Sequence, residues 1–195
     1  MIPAYAALPL ASTHTKAAPT RFNEGRGVFA TLYLAQDQLV ALFEVQALFG
    51  SPYTTWLAVP GRNWAILNVS VVLQSVVDLT LAAPQAALGT TAQELTGDWR
   101  GYRLRSAITP VSQPAGVPAP TQELGAALYS VPLLEAFVTV SAKIPTHKTL
   151  VVFPDKLLPG SELVCRDDKG KLLDKIAPKR SGKSVKRPKR SPRRR

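Results

Sequence analysis

The sequence predicts an α+β fold: one folded domain followed by a basic tail. Three observations lead there. Hydrophobic residues make up 46% of the 195 positions and charged residues 19%, which is enough apolar surface for one core. Short β-branched and aromatic runs mix with helical stretches but never settle into the regular strand–helix–strand order of a doubly wound sheet. The net charge of +11 is concentrated at one end: residues 177–195 hold ten Lys or Arg and no acid. Such a segment cannot bury a core and is expected to be disordered. The remaining 14 basic residues nearly balance 13 acidic ones, so the overall basicity describes the tail rather than the domain.

In chain order, residues 1–19 are rich in Ala, Pro and Thr and read as an irregular segment. Residues 20–176 read as the domain and 177–195 as the tail. Gly25-Arg26-Gly27 is a turn signal. Val28 to Leu34 reads as a strand. Asp37 or Gln36 can cap the helix that follows, and Gly50-Ser51-Pro52 should stop it. Trp64 to Leu73 reads as a strand with Leu67, Val69, Val71 and Leu73 on one face. Asn68-Val69-Ser70 matches a glycosylation sequon, but its place inside this strand argues against use. Val76 to Leu81 is a short strand or a helix entry. Thr91 to Leu95 and Asp98-Trp99-Arg100 suggest a helix end or turn. Ile108 to Pro120 carries four prolines and reads as an extended loop. Thr121 to Tyr129 reads as a helix capped by Thr121. Phe137 to Val140, Thr149 to Phe153 and Glu162 to Arg166 read as strands.

Several chemistries find no support. A single cysteine, Cys165, excludes an internal disulfide framework and fits a reducing, cytoplasmic compartment. Two histidines, His14 and His147, are too few for a His-based metal site. No Gly-rich dinucleotide or phosphate loop follows a strand. No apolar run reaches membrane-spanning length, and Met1 to Ala4 lacks the basic start of a secretory signal.

Glu44 is the conspicuous residue. It sits inside Leu39 to Phe49, where nearly everything else is apolar. On a helix its neighbours would be Val40, Ala41, Ala47 and Leu48. A carboxylate there is costly to bury unless paired or used. The alternative is a carboxylate that reaches solvent or an arginine from a helix edge.

Six pieces then occur in order: Thr20-Arg21-Phe22-Asn23, Thr31-Leu32-Tyr33-Leu34-Ala35, Ala41-Leu42-Phe43-Glu44, Thr121-Gln122-Glu123-Leu124-Gly125, Val140-Ser141-Ala142-Lys143 and Leu150-Val151-Val152-Phe153-Pro154-Asp155. Their order and spacing resemble the RES domain family, toxins usually encoded beside an Xre-type antitoxin. The resemblance covers roughly Thr20 to Ile176. It implies a single RES-like domain related to the ADP-ribosyltransferase fold. It also implies cleavage of the nicotinamide–ribose bond of NAD by glycohydrolysis or phosphorolysis, with NAD as substrate and no cofactor. Expected partners are NAD, an Xre-type antitoxin and a second copy in a homodimer, with no membrane.

Matching motif by motif, the resemblance makes Glu44 and Ser141 the catalytic pair and Arg21 and Tyr33 the substrate-binding residues. Glu44 would stabilise positive charge on the ribose. Arg21 would meet the pyrophosphate with its fork. Tyr33 would stack or hydrogen-bond, and Ser141 would bond a ribose hydroxyl or hold Glu44 in place. Each has a plainer alternative: a surface arginine, a core tyrosine with a satisfied hydroxyl, a strand-end serine bonded to backbone. Arg26 rivals Arg21. The family commonly has an earlier Arg beside an aromatic residue. No Arg precedes Arg21 here, and Tyr5 is a poor substitute, so one phosphate contact is absent or comes from elsewhere. The basic tail is not a family feature. It suggests sequence-independent nucleic-acid contact through residues 177–195, without base stacking because no aromatic interleaves its charges. Two other functions stay open: a noncatalytic nucleic-acid-associated protein, and an ADP-ribosyltransferase acting on a macromolecule.

Overall fold

The computed structural model describes residues 8–60, 64–105, 117–167 and 169–178. Its centre is a four-stranded sheet in the order β1-β7-β6-β5, built from Leu32–Ala35 (β1), Lys148–Val152 (β7), Ala136–Val140 (β6) and Val76–Asp78 (β5). β1, β7 and β6 run antiparallel to their neighbours, while β5 joins β6 in parallel. A three-stranded antiparallel sheet places Glu162–Arg166 (β8) between Asn68–Val72 (β4) and Leu172–Ile176 (β9). Leu48–Gly50 (β2) and Trp56–Ala58 (β3) form a separate hairpin. The helices are Gln38–Glu44 (α1), Ala82–Ala87 (α2), Ala92–Thr96 (α3), Trp99–Arg105 (α4) and Pro120–Ser130 (α5). The mixed α+β class agrees with the expectation from sequence.

The central sheet is covered on both faces. On one face Phe137, Val151 and Tyr33 pack with Phe22, Phe29, Leu79, Leu95, Leu128 and Phe153. On the other, Leu32, Leu34, Leu150, Val152 and Ala136 meet Leu163 and Cys165 of β8 and the Leu67-Val69-Val71-Leu73 face of β4. Two-sided burial explains why β6 and the Leu150-to-Val152 end of β7 read as nearly continuous apolar runs, while β4, buried on one face, alternates. The sequon residue Asn68 opens β4.

Several boundaries move, each for a physical reason. The first strand begins at Leu32 rather than Val28, because side chains claim the backbone ahead of it. Asn23 Nδ2 donates to Phe29 O (2.7 Å) and Thr15 Oγ1 accepts from Thr31 N (2.9 Å). The N-terminal segment is not wholly irregular: Thr13–Lys16 forms a 3-10 turn and Leu10 is buried in the core. α1 starts as expected, with Asp37 Oδ1 accepting from Val40 N (3.0 Å). It stops at Glu44, well before Gly50. The chain reverses through Gln46 at φ 58° so that Leu48 joins Val40, Phe43 and Ile144 in a third apolar cluster. Ala47 and Leu48 are therefore not helical neighbours of Glu44. In α5, Thr121 is not the cap. Pro120 takes the first helical position after Ala119, as its missing N–H favours. Most of the proline-rich stretch from Ile108 lies outside the described residues, as does the tail from Lys179 on.

The fold also buries one carboxylate outright. Glu135 is 0% exposed. Its oxygens accept from Gln74 N (2.6 Å), Ser75 N (2.8 Å) and Leu158 N (2.6 Å), tying β6 to β5 and to the approach to β8. Burial pushes this carboxyl up, but the N–H groups of Leu158, Ser75 and Gln74 outweigh it and hold the group below the usual glutamate range. A depressed folded value stabilises the protein above the unfolded value, and that stabilisation is lost as pH falls through the folded one. Glu135→Gln should lower stability by about 2–3 kcal/mol at neutral pH. In urea melts the gap from wild type should close as the medium is acidified, and a gap independent of pH would contradict the assignment.

Candidate functional site

A cavity of about 600 Å³ opens where the end of α1, the start of α4 and the edge of the central sheet converge. Its floor is a row across three strands: Ala35 pairs with Thr149, which pairs with Thr139. Glu44, Arg21, Tyr33, Asp98, Trp99, Arg100 and Lys143 add side chains to its lining.

Glu44 is the last residue of α1 and is half-buried. Its Oε1 accepts from Ser141 Oγ at 2.6 Å and from Ala142 N at 3.1 Å. Oε2 has no protein partner among the described residues. Ser141 is fully buried. Its hydroxyl proton goes to Glu44 while its oxygen accepts from Lys143 N (3.2 Å) and Ile144 N (3.1 Å). With donor and both lone pairs engaged, the serine is a clamp rather than a nucleophile. In the structure its O–H is spent on Glu44 Oε1.

Arg21 projects from a tight turn in which Thr20 N donates to Asn23 O (2.8 Å). Phe22 of that turn enters the core, and Arg21 faces the cavity. Its Nη1 donates to Leu95 O (3.1 Å) and Gly97 O (2.5 Å), fastening the link between α3 and α4. Burial lowers its pKa, opposed first by the charge on Glu44; the nearby Arg100 adds to the lowering. It remains a cation at any working pH. The rival Arg26 pairs with Glu24 at 2.6 Å with a side chain 65% exposed, and is not part of the cavity lining.

Tyr33 lines the cavity, but its hydroxyl is engaged by the protein. It donates to Thr20 Oγ1 (2.9 Å) and accepts from Phe22 N (3.1 Å). Burial raises the phenol above its ordinary value despite these bonds. Tyr33 therefore holds the Arg21 turn from a position in the cavity lining. Tyr5 lies outside the described residues.

The turn also rests on α5, through residues whose role was not visible in sequence. Gln122 Nε2 donates to Thr20 O (2.9 Å) and Asn23 O (3.3 Å). Gly125 lets the helix approach Phe22 so closely that a side chain would overlap its carbonyl. This gives the Thr121-to-Gly125 piece a physical meaning: it seats the arginine. Sequence reading also missed Asp98, Trp99 and Arg100 as cavity residues, and nothing local separates them from an ordinary helix start. No group of three His, Cys, Asp or Glu that could hold a metal occurs among the described residues. Among them, too, no helix is long and apolar enough to cross a membrane.

A family model for the RES domain matches residues 2–172. The chain belongs to the RES domain family. The match spans nearly all of the described structure and begins ahead of the Arg21 turn. RES-domain proteins have a toxin-like, NAD-related enzymatic function, with NAD as substrate and pairing with an antitoxin typical of the family. No curated protein and no solved structure matches the chain.

Proposed function

We propose that this RES-domain protein cleaves the bond between nicotinamide and ribose in NAD, as a glycohydrolase using water or a phosphorylase using phosphate. The supporting observation is Glu44: one oxygen is clamped by Ser141 and Ala142, the other is bare, and the group borders a cavity that also holds Arg21. A cavity of this size suits a small-molecule ligand.

Breaking the C1′–N1 bond sends its electron pair to nicotinamide, which leaves neutral and needs no strong general acid. The ribose becomes oxocarbenium-like. The bare oxygen of Glu44 stabilises that charge, and its clamp means little reorganisation is needed as the charge develops. Water then adds to C1′ and loses a proton to solvent, or a phosphate anion adds directly. Ser141 acts as a positioning residue through Glu44. Arg21 meets the pyrophosphate with the N–H groups not bonded to Leu95 and Gly97. Transfer to a macromolecule would share the first step and change only the acceptor. An Xre-type antitoxin would silence the enzyme by covering the cavity.

The test is nicotinamide release from NAD by purified protein, with and without phosphate. Release supports the reading, and its absence under both conditions overturns it. Formation of ribose-1-phosphate-linked product identifies phosphate as acceptor.

The second reading concerns residues 177–195, with ten cations and no acid. We infer a salt-sensitive, sequence-independent grip on nucleic acid there. Truncation after Ile176 should leave nicotinamide release within about twofold and abolish most DNA retention at low salt. Equal retention without the tail would contradict this reading.

A further inference from the structure

We infer that Arg100 is a second anion-binding side chain of the cavity, acting beside Arg21 on the pyrophosphate of a dinucleotide. The inference rests on the NAD reading above and assigns a residue to a part of the substrate.

Arg100 is exposed at the start of α4 and lines the same cavity as Arg21 and Glu44. Its guanidinium lies over the Trp99 ring, 5.4 Å from the centroid. Stacking of this kind orients the planar fork before any ligand arrives. Among the described residues no side chain or carbonyl accepts from that fork. Asp98, the nearest acid in sequence, accepts from the Arg100 backbone N–H instead (3.1 Å). Arg21, by contrast, spends Nη1 on the carbonyls of Leu95 and Gly97, so it has fewer donors left for a ligand. Both arginines line the same cavity, where their like charges oppose each other. A doubly charged anion between them removes that repulsion and supplies the acceptors that Arg100 lacks. A pyrophosphate has that charge and enough oxygens for two forks, and among the described residues no other Arg lines the cavity.

The experiment uses the full chain, with ADP-ribose as a binding probe and NAD and nicotinamide riboside as substrates. Arg100 is exposed and bonds to nothing in the core, so Arg100→Ala should fold normally. Calorimetry should show wild type binding ADP-ribose and Arg100→Ala binding it at least tenfold more weakly, with Arg100→Lys recovering only part of the loss. In turnover, KM for NAD should rise at least tenfold with kcat nearly unchanged, while nicotinamide riboside, which lacks phosphate, is processed as by wild type. Equal ADP-ribose affinity in wild type and Arg100→Ala, or no ADP-ribose binding by wild type, overturns the assignment. If wild type binds ADP-ribose in an Arg100-dependent way but releases no nicotinamide, Arg100 stands and the cleavage reading fails.

Discussion

Glu44→Gln should lower nicotinamide release by about 10²–10³-fold, the range seen when a single preorganised electrostatic group is lost from an active site. The substitution is nearly isosteric. A glutamine carbonyl can still accept from Ser141 Oγ and Ala142 N, which now bond to Glu44 Oε1. What disappears is the negative charge and its bare second oxygen. The fall should therefore appear in kcat, with the thermal midpoint moving only a few degrees. Ser141→Ala provides the contrast. It keeps the charge but removes the shorter of the two bonds on Oε1, and it strands Lys143 N and Ile144 N. Its loss of rate should be smaller, about tenfold, and accompanied by lower stability. Turnover retained by Glu44→Gln would remove the carboxylate from the mechanism.

Gly125→Ala should destabilise the fold by about 3 kcal/mol or more, although alanine is the better helix former by roughly 1 kcal/mol. The new methyl group would overlap the carbonyl oxygen of Phe22, and it would also lie 2.8 Å from that carbonyl's carbon and 3.0 Å from Phe22 Cβ. Two of those atoms are backbone and cannot swing aside. The turn bearing Phe22 must move, and Arg21 with it. Thermal unfolding should drop by roughly 10 °C, and NAD turnover should fall in whatever protein still folds. Ala126→Gly, at an exposed position of the same helix, is the control and should cost only about 1 kcal/mol. A Gly125→Ala protein as stable as wild type would show that the helix and the turn are not in close contact.

These expectations were legible in the sequence to different depths. The alternation in Leu67, Val69, Val71 and Leu73 places β4 correctly because one face of that strand packs and the other does not. The apolar run from Leu39 to Phe49 misleads because it holds two elements. A helix and a strand meet inside it, and the residue that separates them, Gln46, takes a left-handed conformation that no glycine announces. The β2–β3 hairpin was missed for a different reason. It leaves Phe49, Trp56 and Leu57 exposed, so apolar content there does not signal a core.

At the site, Glu44 stands out because its charge contradicts its surroundings, and Ser141 was recognised through family likeness. Gln122 and Arg100 carry no such contradiction. A glutamine in the first turn of a helix and an arginine at a helix start are ordinary residues until distant segments arrive beside them.

That dependence on distance has a consequence for the living cell. The Ser141–Glu44 bond joins positions 97 apart, and the Arg21–Gly97 bond joins positions 76 apart. A ribosome must therefore finish most of the polypeptide before the acid is locked in place. Any shortened product that ends before Ser141 lacks the hydroxyl that fixes Glu44.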